Sequence, residues 1–149
     1  MTPLEMFYQS NVIITDIDGR EAFMNGNITE LFGSNETELK CTFSKDRGDF
    51  MSAVIFLAEN PSQFEPIAQF PVFNYTISTL TSFGIYLFGN VTLNSITNSS
   101  SEAVIVFHNI NCIHEREYKC RLDVFPNGNY TNGTTEVYSN TSSISVQGR

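Results

Sequence analysis

Apolar and polar positions alternate in short runs along most of the chain, the pattern of strands that bury one face. In Leu39-Lys40-Cys41-Thr42-Phe43 every second residue is apolar, and Tyr118-Lys119-Cys120-Arg121-Leu122-Asp123-Val124 repeats the alternation. Runs rich in Val, Ile, Phe, Tyr and Thr predict strands over Val12–Thr15, Ile28–Leu31, Glu38–Phe43, Ser52–Ala58, Ile67–Phe70, Phe83–Phe88, Val91–Asn94, Ala103–His108, Glu117–Val124 and Ser143–Val146. Turn chemistry separates them, at Asp18-Gly19, Asn25-Gly26, Gly33-Ser34-Asn35, Asp46-Arg47-Gly48-Asp49, Asn60-Pro61-Ser62 and Asn127-Gly128. No window carries a sustained i, i+3, i+4, i+7 apolar pattern between two caps, so helices are not expected. Short strands at this spacing predict an all-β fold, a sandwich or a barrel.

The length of 149 residues fits one domain with one core. Acidic residues outnumber basic ones 16 to 8, the net charge is −8, and no two Lys or Arg residues are adjacent. Nucleic acid and anionic membrane surfaces are therefore excluded as partners. Only 16% of residues are charged, against about 25% in ordinary soluble proteins, while Asn, Ser and Thr abound. That balance suits an extracellular β-domain. No stretch approaches the roughly 20 apolar residues of a membrane span, so direct membrane insertion is not expected. The N-terminus has neither a basic nor an apolar signal region, so the chain is either cytosolic or a piece of a larger protein whose signal lies elsewhere.

Two features favour the second option. Asn-x-Ser/Thr acceptor sequences for N-glycosylation occur at Asn27, Asn35, Asn74, Asn90, Asn98, Asn129, Asn132 and Asn140. Chance in a chain this rich in Asn, Ser and Thr gives about three, and these eight are scattered. The second feature is the cysteines. Cys41 and Cys120 each lie on the apolar phase of an alternating strand, placed to bridge two facing sheets. The alternative is two buried free thiols, as in cytosolic cores, but the sequons favour the disulfide. Cys112 is left over, outside that phase; it either fills space beneath a turn or pairs outside this chain.

Leu31-Phe-Gly-Ser-Asn-Glu-Thr-Glu-Leu39-Lys-Cys41 resembles the A′–turn–B segment of immunoglobulin domains. Ala103-Val-Ile-Val-Phe-His-Asn-Ile-Asn-Cys-Ile-His-Glu-Arg-Glu-Tyr118-Lys-Cys120 is similar to the E strand, E–F corner and F strand, and Ser143–Gln147 to the closing G strand. The resemblance implies a two-sheet antiparallel immunoglobulin-like sandwich, variable-like, with extra length over residues 59–102 where variable-type domains place C′ and C″. It also implies a tyrosine corner at Tyr118. The chain departs from the pattern by having no Trp, so Val54 or Phe56 stands in the core of strand C, and by lacking the Asp and Gly of the motif before Tyr118. Phe64-Glu-Pro-Ile-Ala68 after the Trp-less strand is similar to the immunoglobulin modules of mollusc fibrinogen-related lectins. Residues 1–26 are set apart as an N-terminal segment with room for an A strand, and residues 27–149 as the domain.

Val12-Ile-Ile-Thr-Asp16-Ile-Asp18-Gly19 resembles the opening of haloacid-dehalogenase-like phosphatases, where the two Asp act as nucleophile and acid/base. That family needs a parallel α/β sheet, and a strand ending in an Asp-Gly turn explains the string equally. Asp16, Asp18 and Glu21 lack the spacing of a calcium loop. Cys112-x-His114, with His108 nearby, lacks a second pair to complete a zinc site. Phe50, Phe64, Phe70, Phe73 and Phe83 are expected in the core or on a sheet face. Arg47-Gly48-Asp49, on the B–C turn, is a candidate ligand contact of integrin type. Residues 125–140 are expected to form the F–G turn, and glycans at Asn129 and Asn132 would shield it, directing binding to a sheet face or to Arg47–Asp49. The expected function is an extracellular recognition or adhesion module for a protein or glycan, with a place in innate immunity. Neither enzymatic activity nor a metal or cofactor is expected. The alternatives are a spacer in a larger ectodomain and, remotely, a phosphatase using Asp16 and Asp18.

Overall fold

Residues 19–73 and 76–148 are described by the computed structural model. In chain order the strands are β1 (Glu21–Met24), β2 (Ile28–Leu31), β3 (Thr37–Ser44), β4 (Phe50–Glu59), β5 (Phe64–Pro71), β6 (Thr79–Leu80), β7 (Val91–Leu93), β8 (Glu102–Phe107), β9 (Glu117–Phe125), β10 (Thr135–Tyr138) and β11 (Ser142–Gln147). One helix, α1 (Ser82–Leu87), joins β6 to β7. The smaller sheet has the order β1-β3-β8-β7, and the larger β2-β11-β9-β4-β5-β6 with β10 also paired to β9. Pairing is antiparallel except where β2 runs parallel to β11, Ile28 opposite Ile144.

The alternation read from the sequence is the alternation of burial. Thr37, Leu39, Cys41 and Phe43 of β3 turn inward, as do Ala103, Ile105 and Phe107 of β8. From the larger sheet Tyr118, Cys120, Leu122 and Val124 of β9 meet them. Removing each of the larger side chains from water contributes roughly 1.5–3 kcal/mol. Strand β4 lies between β9 and β5 and is apolar on both faces: Val54 and Phe56 enter the core, while Ile55 and Leu57 are buried on the outer side. Phe56 sits opposite Cys120 and packs on Phe70 at 5.3 Å between ring centroids. That ring takes the place of the missing core Trp.

Four segments differ from expectation or lie outside it. The strand expected at Phe83–Phe88 is a helix, α1. Thr81 caps it by accepting from the Gly84 amide, and Gly84 and Leu87 bury one face with Phe88 behind them. Gly84 lies against the Ile67 carbonyl, where any Cβ would collide. The spacing of positions 84, 87 and 88 is helical, but too short to register as a sustained period. The long F–G turn is also corrected, because Thr135–Tyr138 pairs with Arg121–Val124 as β10. Ser139 then breaks the G strand in two, its amide and hydroxyl both bonded to the Cys120 backbone. Glu21–Met24 and Thr79–Leu80 are strands that local pattern did not mark. The Val12–Thr15 strand lies outside the described residues.

Candidate binding surface

Cys41 and Cys120 are joined across the two sheets, with Cα atoms 6.3 Å apart and both residues fully buried. Two positions before Cys120, the Tyr118 hydroxyl donates to the His114 carbonyl at 2.7 Å. Burial raises the Tyr118 pKa, so the phenol stays a donor. Arg116 replaces the absent Asp-Gly pair: its Nε donates to the Ile113 carbonyl and its Nη1 to the Glu59 carbonyl, tying the E–F corner to the end of β4. His114 is buried, stacked on Phe88 at 5.4 Å, and its Nδ1 accepts from the Asn111 amide. Cys112 is exposed at the start of a 3₁₀ turn, and His108 Nε2 is bonded to Thr92. The Cys-His string therefore faces apart, and no metal-ligating cluster occurs among the described residues.

The B–C turn divides its Arg-Gly-Asp. Arg47 and Gly48 are exposed, whereas Asp49 is buried. Both Asp49 oxygens are engaged, Oδ2 with Arg20 Nε at 2.7 Å and Oδ1 with Arg20 Nη2 at 3.0 Å. The amides of Asp46 and Asn127 add to the same carboxylate. The Arg20 hydrogen bonds hold its pKa below the usual value, against the opposing effect of burial. Of the three residues only Arg47 offers a side chain to a ligand.

Every sequon asparagine among the described residues is exposed: Asn27, Asn35, Asn90, Asn98, Asn129, Asn132 and Asn140. Several are held by the side-chain oxygen, which leaves the amide nitrogen out of those bonds. Asn27 accepts from the Ser143 amide, Asn98 from the Met51 amide and Asn129 from the Thr131 amide. Asn98, Asn129 and Asn132 stand at the loop end of the sandwich, and Asn74 lies outside the described residues. At that end Phe50, Phe73 and Phe125 gather around Tyr130 with centroids 5.7, 6.2 and 4.7 Å from its ring. Phe73 and Tyr130 are half exposed there.

The outer face of the larger sheet carries a different array. Lys119 Nζ lies 4.4 Å from the Phe64 ring centroid and 4.9 Å from that of Tyr138, a cation held between two aromatic faces. One pair of residues along β9, Arg121 closes on Asp123 with bonds of 2.8 and 3.1 Å and reaches Glu136 at 3.8 Å. Burial pushes the Asp123 pKa up while Arg121 pulls against it. Ile55 and Leu57 form the floor beneath these residues. No sequon falls within the strands that build this face. Sequence reasoning named none of these residues as a site, because it is strand register that brings Phe64, Lys119 and Tyr138 together.

No family model matches the chain, and no curated protein matches it. Among solved structures, murine CRIg is similar in fold, with a TM-score of 0.65 at 13% identity over 87% of this chain and 98% of that one. Solved chains that match number 1923, so the likeness fixes the architecture and not a ligand. Two sheets bridged by Cys41–Cys120, with β5 and β6 added beside β4 as C′ and C″, give this chain the variable-like immunoglobulin fold.

Proposed function

We propose that the chain is an extracellular recognition module that binds a protein ligand through the outer face of its larger sheet. The observation that carries this is the ordered array of Phe64, Lys119, Tyr138, Arg121, Asp123 and Glu136 over Ile55 and Leu57, on a face whose strands hold no sequon. Side chains already fixed by partners lose little freedom on binding, and aromatic and Arg anchors supply most interface energy. Glycans at Asn98, Asn129 and Asn132 would crowd the loop end and leave the sheet face open. The eight sequons and the disulfide support a secretory setting. The ligand's being a glycan and a place in innate immunity are finer readings of the same module.

The test uses the secreted, tetramerised chain as a stain on a panel of cells. Lys119→Glu and Tyr138→Ala should abolish staining with the melting temperature retained, and mass spectrometry should find glycans at the sequons. Loss of staining in Asn129→Gln/Asn132→Gln or Arg47→Ala, with the sheet-face variants intact, would place binding at the loop end instead. The spacer is the second reading, favoured by Leu31 and Phe32, which stay exposed at the opposite pole as a surface suited to stacking on a neighbouring domain. The phosphatase alternative has no such support: Asp16 and Asp18 lie outside the described residues, and the sandwich is not the parallel α/β sheet that chemistry needs.

A further inference from the structure

Three sequon asparagines have an aromatic residue two positions before them: Asn90 follows Phe88, Asn132 follows Tyr130 and Asn140 follows Tyr138. The fold treats the three pairs differently. Phe88 is buried and stacked on His114, out of reach of anything attached to Asn90. Asn140 is turned toward β1 by the bond its Oδ1 accepts from the Met24 amide, while the Tyr138 ring lies against Lys119 on the outer sheet face. Only in the pair Tyr130–Asn132 is the ring half exposed and the asparagine side chain without a hydrogen bond among the described residues.

That pair sits on a tight turn. Thr131 and Asn132 form its bend, and Gly133 follows at φ 73°, the left-handed conformation that glycine adopts without a Cβ penalty. A Cβ at Gly133 would meet nothing within 4 Å, so the space beside the turn is open. The bend is held from the N-terminal side, where Asn129 Oδ1 accepts from both the amide and the hydroxyl of Thr131. Tyr130 is held as well, packed on Phe125, Phe50 and Phe73, yet the residue keeps 52% of its surface in water. A ring fixed on one side and wet on the other forgoes part of the stabilisation that burying an aromatic supplies.

We propose that the exposed part of Tyr130 is a seat for the chain's own carbohydrate: the first N-acetylglucosamine on Asn132 packs its C–H face on the ring. The proposal rests on the secretory setting argued above. Asn132 and its sequon threonine, Thr134, are both exposed, as attachment of a glycan requires. One face of the β-linked sugar carries axial C–H groups, apolar and weakly positive, which match the negative face of an aromatic ring. Attachment two residues away keeps the sugar at high local concentration, and both the ring and the turn are already ordered, so little freedom is lost on contact. The loop-end aromatic cluster is thereby completed by carbohydrate, and the glycan is held in one direction over the turn that leads into β10.

The secreted chain, trimmed to one N-acetylglucosamine per site, tests this by proton NMR and thermal unfolding. The ring protons of the sugar on Asn132 should resonate upfield, shifted by the Tyr130 ring, and return to ordinary positions in Tyr130→Leu. Thr134→Ala, which removes this sugar and keeps Asn132, should lower the melting temperature by about 2–4 °C. The same change should have no effect in a Tyr130→Leu background and its full effect in Tyr130→Phe, which keeps the ring. Sugar signals at ordinary positions in the wild type overturn the proposal even where Tyr130→Leu does not fold. So does a Thr134→Ala loss that is equal in the Tyr130→Leu background. An unmodified Asn132 beside occupied sequons overturns this proposal alone, whereas bare sequons throughout overturn the secretory setting with it.

Discussion

Arg20 closes on Asp49 through two hydrogen bonds, Nε to Oδ2 at 2.7 Å and Nη2 to Oδ1 at 3.0 Å, and so pins the start of the described chain to the B–C turn. The contact spans 29 residues of sequence and converts an apparent ligand motif into a structural one. Asp49 is 3% exposed, so its ionisation is tied to folding.

Removing Arg20 leaves the buried Asp49 carboxylate with the Asp46 and Asn127 amides but without its cation, and Arg20→Ala should cost about 3 kcal/mol near neutral pH. Because the folded pKa of Asp49 is depressed, this stabilisation is complete above the ordinary Asp value of 3.8 and is lost as pH falls through the folded value. Urea unfolding of wild type and Asp49→Asn should therefore differ at pH 7 and converge in strong acid. A difference that stays constant down the pH series would rule this out.

The Cys41–Cys120 bond closes a sequence separation of 79 residues. Cys41→Ala should destabilise the chain by about 2–5 kcal/mol, measured by urea or thermal unfolding without reductant. Wild type treated with enough reductant to open the bond should approach the variant. A variant as stable as the oxidised chain would contradict the role assigned to the bridge.

His114 is held below the ordinary histidine pKa of 6.5 by burial, which outweighs the hydrogen bond from Asn111. The folded state thus favours the neutral ring, and the unfolded chain takes up the proton first as pH falls. Stability should be full above about pH 6.5 and decline from there toward the lowered folded value. His114→Gln should flatten that segment of the pH–stability curve. If both proteins fall in parallel between pH 7 and pH 5, another group is responsible.

Cys112 is exposed and unpaired within the chain. An accessible thiol in an oxidising compartment exchanges readily with other disulfides. The chain alone should form a reducible dimer on non-reducing gels, removed by Cys112→Ser with no change in melting temperature. Absence of that dimer, with a thiol unreactive until denaturation, would contradict the exposure of the side chain.

The sequence by itself determined the strand framework and the bridge, because burial on one face imposes a period of two that is visible locally. Leu39-Lys-Cys41-Thr-Phe43 and Tyr118-Lys-Cys120-Arg-Leu122 alternate in the primary structure as they do in the sandwich, and their shared phase turned both cysteines inward. Segments whose structure depends on distant partners were not legible. Helix α1 exists because Gly84 fits against the Ile67 carbonyl and Leu87 and Phe88 reach the core, and β10 exists because β9 offers its edge. The burial of Asp49 was decided by Arg20, and the Lys119 clamp by the register that sets Phe64 and Tyr138 on either side of it. Periodicity reports which face of a strand is buried; only the tertiary structure decides which charges meet, because that depends on residues far apart in the chain.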